Sequence, residues 1–171
     1  LAKESRNWAE AERLQRVCIE WDRRNAASLL TRPVESLSAG EKNTLRTLAA
    51  SLHELGEIQR EIGQHDCVKN YEEALNMSEK IGEGAGAAIC ALNLGRAYDG
   101  VSIPTLRNLD EAERWYRRSL ELCADEDRKG KGNCMAQLGL VAREHFKDAK
   151  KEGKAEEELL KHLNAAVDYY K

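Results

Sequence analysis

"NLDEAERWYRRSLEL", residues 108–122, sets four acids and three arginines around a Trp and a Tyr. Alone, it reads as a charged catalytic helix or as one copy of something repeated. Three other stretches share its frame. "HDCVKNYEEALNM" (65–77) lies under "DEAERWYRRSLEL" (110–122) with Cys67 on Ala112, Tyr71 on Tyr116, Ala74 on Ser119 and Leu75 on Leu120. "EELLKHLNAAVDY" (157–169) places Leu159, Leu163, Ala166 and Val167 in those columns, and "AEAERLQRVCIEW" (9–21) places Ala11, Gln15, Cys18 and Ile19 there. Residues at i, i+4, i+7 and i+8 share one helical face. The stretch is one copy of a repeated helix, helix B. Its charges fall on the solvated side, where neighbours such as Glu113 and Arg117 give modest i,i+4 support.

A second pattern alternates with the first. "SLHELGEIQ" (51–59), "CALNLGRAY" (90–98) and "CMAQLGLVA" (134–142) share a Leu-Gly pair, and Gly56, Gly95 and Gly139 stand 39 and 44 positions apart. Helix A with Leu-Gly followed by helix B recurs at the period of stacked helical pairs. Glycine inside a helix costs about 0.5–1 kcal/mol relative to alanine, so a recurring one needs a reason. Close approach of the partner helix backbone is the expected one.

Over residues 89–122 the pattern resembles the tetratricopeptide repeat family, with Leu94, Gly95, Tyr98, Ala112, Tyr116 and Ser119 in its signature columns. "LGRAYDGV" with "LDEAERWYRRSLEL" is also similar to Sel1-like repeats, whose loop between the two helices is longer. The likeness covers roughly residues 40–171, with a weaker half-repeat at 3–30. It departs at Gln59 and Ala142, where the signature wants Tyr, and no proline closes a repeat. The resemblance implies an all-α fold: a right-handed superhelical solenoid of antiparallel hairpins, about three and a half repeats. The expected divisions are 1–39 (half-repeat and linker), 40–83, 84–127 and 128–171.

Helices are predicted near 3–30 (broken near Asp22), 40–62, 66–81, 84–99, 108–124, 128–150 and 154–171. "SAGE" (38–41) reads as a capping box, and Asn108 with Glu111 as a second cap signal. The loop at 100–107 carries Val101, Ile103 and Leu106, which are expected to pack back over the helix ends rather than stay in water.

Composition agrees with a helix-rich chain: 171 residues, 33% charged, 42% hydrophobic, two prolines and one Phe. A net charge of −3 offers no global attraction to nucleic acid, and no apolar run approaches the roughly 20 residues that cross a bilayer. The chain starts at Leu1 without Met and stops within a helical pattern at Tyr169-Tyr170-Lys171, as a piece of a longer protein would.

Little in the sequence carries chemistry. The five cysteines form no C-x-x-C. Cys90 and Cys134 share a column with Ser51, Cys67 that of Ala112, and Cys18 that of Ser119, so they read as small packing residues in a reducing, cytoplasmic setting. His53, His65, His145 and His162 show no metal-ligand spacing. Gly84, Gly86, Gly130 and Gly132 read as inter-repeat turns rather than phosphate loops, and the basic run at 147–154 as a solvated helix end. No catalytic, cofactor or metal residue is expected.

In the tetratricopeptide family, helices A line a concave face along which peptides lie. Carried over through the Leu-Gly pairs, this implies groove positions His53, Glu57, Arg60, Asn93, Arg96, Gln137 and Arg143. Asn93 would donate to and accept from a peptide backbone, and Arg96 would pair with a carboxylate. The family's carboxylate clamp for chaperone tails is not expected, because His53, Glu57 and Leu92 stand where it wants basic or amide groups. The reading is a non-catalytic scaffold for a protein or peptide, with no nucleic acid or membrane partner. The alternative is a regulatory sensor array of a multidomain signalling ATPase; an enzyme ranks third.

Overall fold

The computed structural model describes residues 2–169. Among them are seven α-helices and no strand: α1 (Ala2–Leu30), α2 (Ala39–Glu61), α3 (Cys67–Lys80), α4 (Gly84–Tyr98), α5 (Leu109–Leu122), α6 (Arg128–Lys151) and α7 (Glu156–Tyr169). The protein is all-α and repeat-like. The main packing is between consecutive helices, and α2 also touches α4. Tyr170 and Lys171 lie outside the described residues.

Local chemistry sets the helix ends. The Ser38 hydroxyl accepts from the Glu41 N–H while the Glu41 carboxylate accepts from the Ser38 N–H, so the expected capping box opens α2. Asn108 accepts from the Glu111 N–H and opens α5. Each such cap stabilises by about 0.5–2 kcal/mol. The expected break near Asp22 does not occur. Asp22 caps nothing; its carboxylate faces α2 and accepts from the Ser51 hydroxyl at 2.7 Å, so α1 continues to Leu30.

The glycines at 84, 86, 130 and 132 are not turns. Gly84 and Gly86 lie in α4, Gly130 and Gly132 in α6. Gly82, at φ 77°, makes the turn before α4. Asp127 caps α6 by accepting from the Gly130 N–H. That carboxylate lies where a Cβ on residue 130 would be, which is why glycine suits the position.

The Leu-Gly pairs have a different reason from the one expected. A Cβ on Gly56 would lie 2.6 Å from the Tyr71 ring, and one on Gly95 would lie 2.5 Å from the Tyr116 ring. The helix B tyrosine ring, not its backbone, fills the notch that glycine leaves. Both rings are fully buried, each beside an alanine or cysteine (Ala112, Cys67) that is fully buried too. Each hydroxyl finds an acid near the end of the preceding helix A: Tyr71 donates to Glu57 at 2.8 Å and Tyr116 to Asp99 at 3.0 Å.

The long connection between α4 and α5 packs back as expected, in part. Ile103 is 2% exposed and joins the core of the first four helices, with Leu106 packed against it. Val101 stays outside, 83% exposed. The loop also bonds to the earlier helices: Arg60 donates to the Ser102 hydroxyl and His65 pairs with the Thr105 hydroxyl at 2.7 Å. A second, smaller core gathers Leu109, Ala112, Tyr116, Leu138 and Val141.

Two helix faces depart from the aligned columns. Cys18 is exposed, because α1 packs through Ile19, Ala26 and Leu29 and no described helix covers its other side. In α7 only Ala166 is buried among the described residues; Leu163 and Val167 are 44% and 45% exposed, since α7 packs chiefly on α6 and reaches α5 through Tyr169, which accepts from Arg117 at 2.9 Å.

Two stability predictions follow from this packing. Gly95→Ala should lower stability by about 1–3 kcal/mol through overpacking against Tyr116. Gly132→Ala, with nothing within 4 Å of its Cβ, should raise it by up to about 1 kcal/mol. Urea unfolding of both variants reads the two signs, and a neutral Gly95→Ala would refute the notch. Ile103→Ala should cost about 2–5 kcal/mol, whereas Val101→Ser should stay within about 0.5 kcal/mol.

Candidate functional site

The seven groove positions fall into two groups. Five of them, on α2 and α4, form one polar network. His53, one turn before the Gly56 notch, takes a hydrogen bond at Nε2 from the Asn93 amide at 2.8 Å. Arg96 donates to the Asn93 carbonyl oxygen at 3.2 Å. Glu57 accepts from the Tyr71 hydroxyl on one oxygen and from Arg60 on the other, at 2.8 and 3.1 Å. The His53 ring lies 5.7 Å from the Tyr71 ring and its Nε2 4.0 Å from Glu57.

Asn93 is 4% exposed. Its amide is spent on His53 and Arg96, so it holds α2 and α4 together and positions those two side chains rather than facing a ligand. Arg60 is 11% exposed, and its Nε is buried without a partner. Burial opposes its charge, but the Tyr71 hydroxyl and Glu57 outweigh that, and its pKa lies above the ordinary arginine value. Burial pushes the His53 pKa below its ordinary value against the pull of Glu57 and Glu54. The neutral ring, with a free Nε2 lone pair, is the form that can accept from Asn93.

Beside this network, α2 and α4, with Ser78 of α3, line an open groove of about 240 Å³ that includes Ala49, Ala50, His53, Ile89 and Cys90, with Arg46 and Glu83 paired at one end. Ile89 is 50% exposed on its wall. Gln137 and Arg143 are not part of it. They line a separate groove of about 340 Å³ with Val101, Leu140 and Glu144, where Arg143 reaches Glu144 at 3.5 Å.

A larger groove, about 550 Å³, runs between α3 and α5 and includes Trp115, Arg114, Arg117 and Arg118. Its arginines are occupied: Arg114 by Glu111, Arg117 by Glu113, and Arg118 by Glu79 and Glu121. Size alone does not make it the better site. The α2–α4 groove combines an uncovered apolar wall with polar groups already fixed in place.

The cysteines sit mostly in the core. Burial lifts the Cys67 thiol to about 11 and the Cys90 thiol to about 12, far from a reactive thiolate at neutral pH. Cys134 donates to the Ser119 hydroxyl at 3.1 Å. Among the described residues no three His, Cys, Asp or Glu side chains come together so as to hold a metal ion. Sequence spacing missed one pairing: His145 and His162 stack at 5.3 Å, with Asp110 and Glu113 each 3.7 Å from His145. Only the packing of α7 on α6 juxtaposes them.

The network makes stability pH-dependent. His53 has a folded-state pKa below its unfolded value of 6.5, so its contribution is complete above that pH and is lost as pH falls through the folded value. The urea midpoint should therefore fall between about pH 7 and 5 more in the wild type than in His53→Gln, which keeps a hydrogen-bonding group without titrating. Parallel profiles would exclude the neutral His53–Asn93 bond.

Comparison with models of known protein families and with curated proteins finds no match.

Proposed function

We propose that the chain is a tetratricopeptide-like solenoid that binds a peptide or a segment of another protein along helices A, and that it catalyses nothing. The observation that carries this reading is the α2–α4 groove, an apolar wall with half-exposed Ile89 and with His53 held by Asn93; Arg96, bonded to the same Asn93, lies two turns beyond Ile89 on α4, outside the groove's lining. Side chains already ordered before binding lose little rotamer freedom on binding, which favours affinity. The two copies of the Gly-Tyr packing and the consecutive helix contacts support the solenoid arrangement. Each helical pair in such an array buries its face only by stacking on its neighbours.

The ligand that fits is a short segment with one aliphatic side chain for the Ile89–Ala50 wall and a carboxylate for Arg96. The seven groove residues then divide by role: Arg96 and His53 face the ligand, Asn93, Glu57 and Arg60 position them, and Gln137 and Arg143 serve a continuation of the path over α6.

The test is panning of a random peptide library on the immobilised chain, then titration of the retained peptides. Ile89→Ser should weaken binding about tenfold or more, as expected when a buried aliphatic contact worth about 1.5–3 kcal/mol is lost. Arg96→Glu should weaken acidic peptides and spare neutral ones. Lys69→Ala, on the exposed side of α3, should change nothing. Peptides that ignore Ile89→Ser and Arg96→Glu but are lost on Trp115→Ala would move the site to the α3–α5 groove.

A further inference from the structure

Cys123 and Cys134 stand eleven positions apart, outside any paired-cysteine motif, and belong to consecutive helices. Cys123 follows the last residue of α5, and Cys134 lies in the second turn of α6. The chain turns back between them and brings both to Ser119. The Cys123 N–H donates to the Ser119 carbonyl at 3.1 Å with a helical φ of −65°, so its side chain leaves α5 one turn beyond that of Ser119, on the same face. From the other side, the Cys134 thiol donates to the Ser119 hydroxyl, also at 3.1 Å. That hydroxyl donates in turn to the Ala88 carbonyl of α4 at 2.8 Å, which fixes Ser119 and the thiol bonded to it. The Cys123 side chain bonds to that of Cys134 and completes the cluster.

The two thiols differ in access. Cys134 is 1% exposed, whereas Cys123 is half-buried at the edge of the exposed segment 125–129. An accessible thiol touching a buried one suits stepwise disulfide exchange, in which the first meets the oxidant and the second resolves the mixed disulfide. Folding has already closed the 124–133 loop, so the native pair avoids the chain entropy that an unfolded chain must lose to join the same sulfurs.

We propose that Cys123 and Cys134 form a disulfide that staples α6 to α5, with a glutathione-class disulfide as the oxidant. The Cys123 thiolate attacks one sulfur of glutathione disulfide, whose S–S bond breaks, and the departing glutathione takes up the proton. Cys134 then attacks the Cys123 sulfur and releases the second glutathione. The protein gives up two protons and two electrons, and one glutathione disulfide becomes two glutathiones. Burial and the adjoining Cys134 hold the Cys123 thiol up at about 11, so its thiolate is scarce at neutral pH and the first exchange is slow. The staple acts where the two cores meet: α5 gives Trp115 and Leu122 to the first and Ala112 and Tyr116 to the second, which α6 completes with Leu138 and Val141. The site is independent of the α2–α4 groove.

The test is equilibration of the chain in mildly alkaline buffers of graded glutathione and glutathione disulfide, alkylation of the remaining thiols, and mass mapping after trypsin. Peptide 119–128 should appear joined to 132–143, with two hydrogens lost and no glutathione attached. The ratio of glutathione squared to glutathione disulfide at half-oxidation should be about tenfold or more higher in the folded chain than in urea. By linkage, the oxidised chain should then unfold at higher urea than the reduced one. Cys134→Ser should stop at one glutathione on Cys123, and Cys123→Ser should leave Cys134 unmodified. Glutathione on exposed Cys18 in the same samples shows that the oxidant was active. Absence of the joined peptide while Cys18 carries glutathione overturns the proposal. So does a half-oxidation ratio no higher in the folded chain than in urea, which would mean that the fold does not bring the two sulfurs into bonding position.

Discussion

A tyrosine ring seated in the notch of a glycine, helix against helix, is the contact on which the rest of the molecule depends. It occurs twice, Tyr71 on Gly56 and Tyr116 on Gly95, with ring atoms where a methyl group would stand. Helical glycine is costly in isolation, so the arrangement persists because the notch lets a whole aromatic ring be buried between two helices. The ring also fixes the pairing register. Its hydroxyl must reach an acid near the end of the preceding helix, and Glu57 and Asp99 supply it from different distances along the chain. A buried hydroxyl without such a partner would cost about 1–3 kcal/mol.

That second requirement ties the core to the surface. Glu57 accepts from Tyr71 and from Arg60 at once, and Arg60 reaches over to Ser102 in the α4–α5 loop. Asp99 accepts from Tyr116 and also from the Val101 N–H, which turns the loop back. The acids that satisfy the core tyrosines thus also order the polar groups around the groove. A substitution aimed at the groove network therefore perturbs packing, and Asn93 is the extreme case. Arg96 and Ile89 are the better probes of the proposed binding, because each reaches the surface without bridging two helices.

The long α4–α5 loop makes the first four helices a larger core than their own residues provide. Ile103 enters it from outside the repeat frame, and Leu109, Ala112 and Tyr116 begin a separate cluster with α6. The two cores share helices but few side chains. Helices α6 and α7 are accordingly less enclosed, and α7 presents Leu160, Leu163 and Val167 to solvent.

The sequence by itself determined the secondary structure and much of the core. All seven helices, the Ser38 and Asn108 caps, the buried tyrosine columns and the inward turn of Ile103 follow from periodicity, capping chemistry and the exclusion of apolar side chains from water, which act within a few residues. Positions whose fate hangs on a neighbouring helix were not legible. Cys18 and Val167 occupy the same aligned columns as buried residues, yet are exposed because no described residue packs over them. Asn93 reads as a surface amide and is buried, because His53 lies 40 positions earlier and becomes its neighbour only when α2 and α4 pack together. His145 and His162 stack for the same kind of reason. Periodicity tells which side of a helix is apolar; only tertiary packing decides which sides are covered, and so which polar groups are spent inside and which are left to meet a partner.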